Sequence, residues 1–346
     1  MNKKQTTWFI VAAAIFVVTG VISVITNAIS AKLTSNNEEM ASAGFDSFMS
    51  SLYGRDNEAA LADMPIAEDF IAVVPIEGTI QASSDNSGIY GTGAGYNHNL
   101  LMNYINKLIN NNSNKGIILR MNTPGGTVYE ADELYLKLKE YKEKTNRPIW
   151  VYMESSCCSG GVYIASAADE QYANRITTTG SIGVIISNYD MSGLYEKLGI
   201  KEDNIVSAQN KDMGTAGKAM TSEQRSIYQS IVDEYYEQFV NIVAEGRNMS
   251  VADVKKLADG RIYTAKQAVE NGLIDGIKGS EEFDAYVRET SGVDTFYEPK
   301  STGGYLSALM GSVISSKEKS EAEVLVDLMN QLGSGVPMYY AEPIGE

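Results

Sequence analysis

The chain has 346 residues, 44% of them hydrophobic, which suits one large domain or two small ones with a sizeable core. Its 28 Lys and Arg against 44 Asp and Glu leave a net charge of -16 without a basic stripe, which argues against nucleic acid as a partner. The only cysteines, Cys157 and Cys158, are adjacent and close no loop, and with one histidine, His98, there is no ligand spacing for a zinc site, so neither a disulfide framework nor a metal is expected.

Lys3 and Lys4 precede an uncharged, mostly apolar stretch from Trp8 to Ile29. About 20 residues cross a bilayer as a helix, so this stretch is long enough. Lysines before it and few basic residues just after it place the N-terminus in the cytoplasm. Residues 1–6 are thus expected to be a cytoplasmic N-terminus and 7–29 a transmembrane anchor. The protein would be single-pass in the cell membrane, with the bilayer as a partner and the rest of the chain on the extracytoplasmic side. A cleaved signal peptide ending near Ala28-Ile29-Ser30 is the competing reading, but apolar regions of such peptides run only ~7–15 residues.

Residues 30–65 are polar and mixed and read as a stalk. A folded domain is expected over residues 66–292. It opens with an apolar, β-branched strand over Phe70–Ile76. Leu100, Leu101, Tyr104, Ile105 and Leu108 then recur at helical spacing. Gly116–Asn122 reads as a strand, Tyr129–Lys142 as a helix, Pro148–Met153 as a strand, and Gly160–Ala168 as a small-residue helix. Strands alternating with helices imply βαβ units and a mostly parallel α/β sheet. Asn204-Ile205-Val206 reads as a further short strand. Helices follow over Ser222–Glu245, with Ile227, Ile231, Tyr235, Phe239, Ile242 and Val243 on one stripe, over Ser250–Leu257 behind a serine cap, and over Thr264–Asn271, stopped by Gly272. Residues 293–346 form a tail with helical character near Glu321–Leu332.

Two glycine pairs directly follow strands: Asn122-Thr123-Pro124-Gly125-Gly126-Thr127 and, one βα unit later, Ser159-Gly160-Gly161. Ligands bind at the carboxyl ends of parallel strands. Glycines there expose backbone N–H groups that can stabilise an oxyanion, and Gly126 and Gly160 could each supply one to the same small volume. Each pair alone is also compatible with an ordinary βα turn. Ser159 leads one of them and is the candidate nucleophile, which needs a base to take its proton. His98, at the start of the first helix, reads as a surface or capping residue. A lysine can replace the imidazole when burial lowers its pKa. Lys211 and Lys218 are both candidates, and composition does not choose between them. Gly91-Thr92-Gly93-Ala94-Gly95 is not set between a strand and a helix, so it reads as a loop and no cofactor is expected.

Taken in order, these segments resemble the signal peptide peptidase A family, the S49 serine peptidases. Ser155–Tyr163 is similar to its nucleophile segment, Asn122–Gly126 to its oxyanion loop, and Asn210-Lys211-Asp212 to the segment with its base. Thr179-Gly180-Ser181-Ile182-Gly183-Val184 resembles one of its strands, and Asp259–Thr264, Ala268 and Gly272–Asp275 its C-terminal signature. The resemblance covers roughly residues 70–290 and includes the anchor. It implies a ClpP/crotonase-like fold of repeated ββα and βα units with a C-terminal helical region. It implies Ser159 as nucleophile, Lys211 as general base, Ser181 orienting the lysine, and the amides of Gly126 and Gly160 as oxyanion hole. The implied substrates are peptides, such as cleaved signal peptides, with small side chains near the scissile bond. The implied assembly is a homo-oligomeric ring, an octamer, in which serine and lysine come from different protomers. Where the family has small residues such as Ala before the nucleophile, this chain has Cys157 and Cys158. They read as packing substitutes, with a nucleophilic or redox role for Cys158 as the rival. A catalytically idle scaffold and a crotonase-type acyl-CoA enzyme are the rival functions. The tail is expected to reach neighbouring active sites as a self-inhibitory or self-processed segment.

Overall fold

The protein's structure, a computed structural model, describes residues 64–65, 67–82, 95–299 and 338–340. The predicted anchor, stalk, Gly91–Ala94 loop and helical stretch near Glu321–Leu332 lie outside these residues. From Phe70 the chain alternates as predicted: β1 (Phe70–Glu77), α1 (His98–Ile109), β2 (Asn114–Thr123), β3 (Gly125–Thr127), α2 (Val128–Thr145), β4 (Ile149–Cys158), α3 (Gly160–Ala165), β5 (Glu170–Ala173) and β6 (Thr178–Gly180). A long arm carrying α4 (Ser192–Leu198) follows. The remainder comprises α5 (Ser222–Gly246), α6 (Val251–Leu257), β7 (Ile262–Thr264), α7 (Ala265–Glu270), β8 (Gly276–Ile277), α8 (Ser280–Ser291), β9 (Phe296–Tyr297) and β10 (Met338–Tyr340).

The main sheet runs β7-β6-β4-β2-β1-β9, with β5 on the N-terminal half of β4 and β8 beyond it. Every pairing in it is parallel except β6 with β7. The fold is therefore mixed α/β with a parallel-rich sheet. Its central strands are apolar on both faces because both faces are covered. Phe70, Ala72, Val74, Ile117, Leu119, Ile149 and Val151 point into the larger core, with Tyr104, Leu134, Tyr163 and Phe239 from the helices. Ile71, Ile118, Trp150 and Tyr152 alternate to the other face and pack under Phe283 and Val287 of α8. Caps set the helix starts: Ser250 accepts from the Asp253 amide, and Thr221 with Gln224 and Thr264 with Gln267 form reciprocal boxes.

Three expectations are corrected. Asn204–Val206 is not a strand: it lies in the arm, and Ile205 is fully exposed. A β-branched pair makes a strand only with a neighbour to pair with, and among the described residues the arm has none. The α5 stripe buries only its second half, where Phe239, Val240 and Val243 meet the core; Ile227 and Ile231 are half-buried. Finally, His98 is not on the surface. It is buried at the first turn of α1, between the Tyr96 hydroxyl at 2.7 Å from Nδ1 and the Glu133 carboxylate at 3.1 Å from Nε2. The capping side chain is Asn97, which accepts from the Leu100 amide at 3.0 Å.

Candidate active site

β4 turns into α3 through Ser159, whose φ of 52° and ψ of -113° fall where non-glycine residues are strained. Such a conformation costs on the order of 1–3 kcal/mol and persists only where the surroundings impose it. Here the β4–β6 ladder and the first turn of α3 impose it. The Ser159 amide donates to the Gly180 carbonyl at 2.7 Å, and its carbonyl accepts from the Tyr163 amide at 3.0 Å. Gly161 allows α3 to lie this close, since a methyl there would sit 2.7 Å from Thr123 Cγ2. The result is a serine hydroxyl that is buried and without a hydrogen-bond partner. A buried polar atom left unpaired is uncommon, and strain of this kind clusters at functional sites.

The second glycine pair meets the first here. β3 lies against the isolated pairing residue Ile80: the Ile80 amide donates to the Gly125 carbonyl, and the Thr127 amide donates to the Ile80 carbonyl, both at 2.8 Å. A methyl on Gly126 would fall 1.8 Å from the Ile80 carbonyl oxygen, so only glycine fits that position. A methyl on Gly125 would fall 2.9 Å from both the Gly160 nitrogen and Ser159 Cβ, and one on Gly160 would fall 3.4 Å from the Gly126 nitrogen. The two glycine turns thus lie against each other, with Gly125, Gly126, Gly160 and Ser159 in close approach.

A third strand lies beside β3. β10 pairs antiparallel with the free edge of β3, Tyr339 opposite Gly126. The tail is expected to reach neighbouring active sites; the described strand Met338–Tyr340 pairs instead with β3 of its own chain. No sequence signal marked Tyr339 itself, because its contacts with Phe239, Tyr163 and Gly126 lie far along the chain. Its ring is fully buried, stacked on Tyr163 at 5.0 Å and against Phe239 at 4.7 Å.

Lys211 is not brought to Ser159 within this chain. It is exposed in the arm, where no residue from 183 to 223 is buried. Lys218 is held by Asp212 at 2.6 Å, which keeps that ammonium engaged with a carboxylate. Ser181 also has a positive φ, 53°, and its amide donates to the Arg261 carbonyl at 2.8 Å, one residue beyond the Gly180 carbonyl that holds Ser159. Among the described residues no group of three or more His, Cys, Asp or Glu could hold a metal ion. Cys157 and Cys158 are buried, and burial raises both thiols above their ordinary pKa, which disfavours the reactive thiolate. Cys158→Ala is expected to keep peptidase activity within about threefold, and native protein should react with iodoacetamide far more slowly than unfolded protein. A large activity loss in Cys158→Ala with the fold intact would assign the thiol a chemical role.

A strained buried serine at the end of a parallel strand, facing two converging backbone amides, is the arrangement of a serine hydrolase. The model of peptidase family S49 matches residues 141–294. The chain is 39% identical over 254 residues to a protein named as a signal peptide peptidase in Enterococcus faecium, covering 71% of this chain and 74% of that protein. It is 32% identical over 213 residues to Protease 4 of Haemophilus influenzae, 61% of this chain but 33% of that one. It is 25% identical over 306 residues to capsid assembly protease C of Escherichia phage lambda, 88% of this chain and 66% of that one. The chain belongs to peptidase family S49 and is a serine peptidase.

Proposed function

We propose that this protein is a membrane-anchored endopeptidase that degrades hydrophobic peptides, such as signal peptides left after secretion, with a Ser159–Lys211 dyad. The observation that carries the reading is the strained, buried and unpartnered Ser159 hydroxyl beside the Gly126 and Gly160 amides. In this mechanism the free amine of Lys211 takes the Ser159 proton as Oγ attacks the scissile carbonyl. The two amides hold the oxyanion, and Ser181 orients the amine. The lysine then protonates the leaving amine, and water hydrolyses the acyl-enzyme.

The lysine is proposed to come from a second copy of the chain, in a homo-oligomeric ring of ClpP/crotonase-like subunits. Three features support this. The Ser159 hydroxyl has no hydrogen-bond partner among the described residues. The arm exposes Leu198, Ile200 and Ile205, apolar side chains of the kind an interface covers. Around Lys211, Asn210 Oδ1, Asp212 Oδ1 and the Thr215 hydroxyl are buried atoms without a partner among the described residues, as expected of groups completed by a neighbour. The name of the Enterococcus relative supports the substrate class. The anchor rests on the apolar stretch Trp8–Ile29, and Lys3 and Lys4 before it support a peptidase domain on the extracytoplasmic face. Among the described residues no helix is long and apolar enough to cross a membrane.

Subunit mixing tests dyad and assembly together. Lys211→Ala alone should be inactive. Co-assembled with Ser159→Ala subunits, it should regain roughly a quarter of the sites, since head-to-tail contacts unite an intact serine with an intact lysine. A Lys211→Ala protein with near-normal activity would remove the lysine from the mechanism, and a mixture as inactive as either parent would place it in the same chain.

A further inference from the structure

The peptide between Gly125 and Gly126 is planar and trans, so its amide and its carbonyl point opposite ways. The Gly125 carbonyl accepts from the Ile80 amide at 2.8 Å, which turns the Gly126 amide away from Ile80. On the other side of Gly125, its own amide donates to Thr123 Oγ1 at 3.1 Å. Thr123 Oγ1 in turn donates to the Gly78 carbonyl at 2.6 Å. Both polar atoms of Gly125 are thus tied to the short segment Gly78–Ile80, one directly and one through the Thr123 hydroxyl. That segment is itself fixed to β2, because the Gly78 amide donates to the Asn122 carbonyl at 2.9 Å.

Gly125 needs this restraint. Its φ of 102° is one that glycine enters and leaves at little steric cost, so the Gly-Gly peptide is the easiest in the turn to rotate. Rotated, it would aim the Gly125 carbonyl at Ser159 and withdraw the Gly126 amide, and a carbonyl oxygen repels the oxyanion that an amide binds. Thr123 is fully buried, and its hydroxyl is committed as donor and acceptor at once, which fixes its rotor. The other branch of the side chain has a separate task. Cγ2 lies 2.7 Å from where a Gly161 methyl would be, so the Thr123 methyl packs under the first turn of α3. Thr123 also stands opposite Cys157 in the β2–β4 ladder, and the Ser156 hydroxyl donates to its carbonyl at 3.3 Å. One side chain therefore touches the oxyanion turn with its hydroxyl and the nucleophile turn with its methyl.

We propose that Thr123 is a positioning residue for the peptidase reaction: its hydroxyl locks the Gly125–Gly126 peptide with the amide toward Ser159. The inference rests on the Gly126 amide as an oxyanion donor and adds the group that keeps it aimed. Thr123 acts through Gly125 and touches no reacting atom. Two substitutions separate its hydroxyl from its methyl. Thr123→Val keeps the branched shape but removes both hydrogen bonds. Thr123→Ser keeps both bonds but leaves a methyl-sized gap against Gly161. A role in stability alone would rank the variants by thermal midpoint, whereas a positioning role ranks them by whether the hydroxyl is present.

The test uses the full chain in detergent micelles, a quenched fluorescent peptide of leucine and alanine residues, and the matching peptide aldehyde. Thr123→Val is expected to lose about 100-fold in kcat with KM within about threefold of normal. Thr123→Ser should keep kcat within about threefold even though its thermal midpoint falls. The aldehyde reads the oxyanion site directly. Ser159 Oγ bonds to its carbonyl carbon, the C=O π pair moves onto oxygen, and the serine proton goes to the Lys211 amine. The oxyanion so formed needs the aimed amide, so the aldehyde's inhibition constant should rise about 100-fold in Thr123→Val and stay within about threefold in Thr123→Ser. If the valine variant does not fold, Thr123→Cys decides, since a thiol is a weak donor and acceptor: its kcat should lie at least about tenfold below that of Thr123→Ser. Valine or cysteine variants that cleave as fast as Thr123→Ser, or rates that simply follow thermal midpoint, would overturn the role of Thr123 while Ser159→Ala stayed inactive. Cleavage that survived Ser159→Ala, or aldehyde binding unchanged by Gly126→Ala, would instead overturn the nucleophile or the oxyanion donor on which the inference depends.

Discussion

Ser159→Ala is expected to lower kcat/KM for peptide cleavage by about 10⁴-fold or more while leaving the fold intact. The two halves of that expectation have separate causes. The activity loss follows because the hydroxyl is the group that forms the acyl-enzyme, and removing a nucleophile leaves only oxyanion stabilisation and binding. The intact fold follows because the Ser159 hydroxyl makes no hydrogen bond and is buried. Deleting it breaks no contact and removes an unsatisfied polar atom, a gain of about 1 kcal/mol. The backbone strain remains, since alanine at a φ of 52° is no more comfortable than serine. Thermal midpoint and kcat/KM measured on one preparation check both halves. A variant within tenfold of normal activity would move the nucleophile elsewhere; a variant that lost stability would show the hydroxyl to be structural.

How much of this was legible in the sequence depends on whether the contacts are local. β1, β2 and β4 declare themselves because strands covered on both faces need continuous apolar runs, and Phe70–Ile76 and Pro148–Met153 carry them. The two glycine turns also declare themselves, because backbone geometry restricts the residue type at each. The short strands β5 to β9 do not: Glu170–Ala173 and Gly276–Ile277 are strands only because β4 and β5 supply partners. His98 was misplaced for a related reason. Burial of an imidazole needs a partner, and Glu133 lies 35 residues away. The seat of Tyr339 is the extreme case. Tyr163 and Phe239 look like ordinary core residues, and nothing in the tail's composition shows that Tyr339 will lie between them. Lys211 illustrates the converse. Its motif is legible by resemblance, but in the described structure it is exposed on the arm, and the proposed dyad would need a second copy of the chain.

Gly126→Ala and Gly160→Ala separate the roles of the two oxyanion glycines. On Gly126 the new methyl would meet the Ile80 carbonyl oxygen at 1.8 Å, its carbon at 2.6 Å and its nitrogen at 2.7 Å. These are backbone atoms of a fully buried residue held by two 2.8 Å hydrogen bonds, so the neighbour cannot swing aside. β3 must lift away from Ile80, which carries the Gly126 amide off the carbonyl it would stabilise. One lost oxyanion donor costs about 10²–10³ in kcat. The broken pairing adds a stability loss of about 3 kcal/mol, read as a fall in thermal midpoint of about 5 °C or more. On Gly160 the closest approaches are 3.4 Å, to the Gly126 nitrogen, Ile80 Cδ1 and Tyr339 Cβ. Two of these are ordinary neighbours, and the third is the resident strand. Gly160→Ala should therefore fold with a normal thermal midpoint and retain both amides, yet crowd the space beside Ser159. Its loss should appear in KM, whereas the loss in Gly126→Ala should appear in kcat and stability together. If both variants melted normally and differed from the unaltered protein only in KM, the Gly126 amide would be a binding contact and the oxyanion assignment would fall.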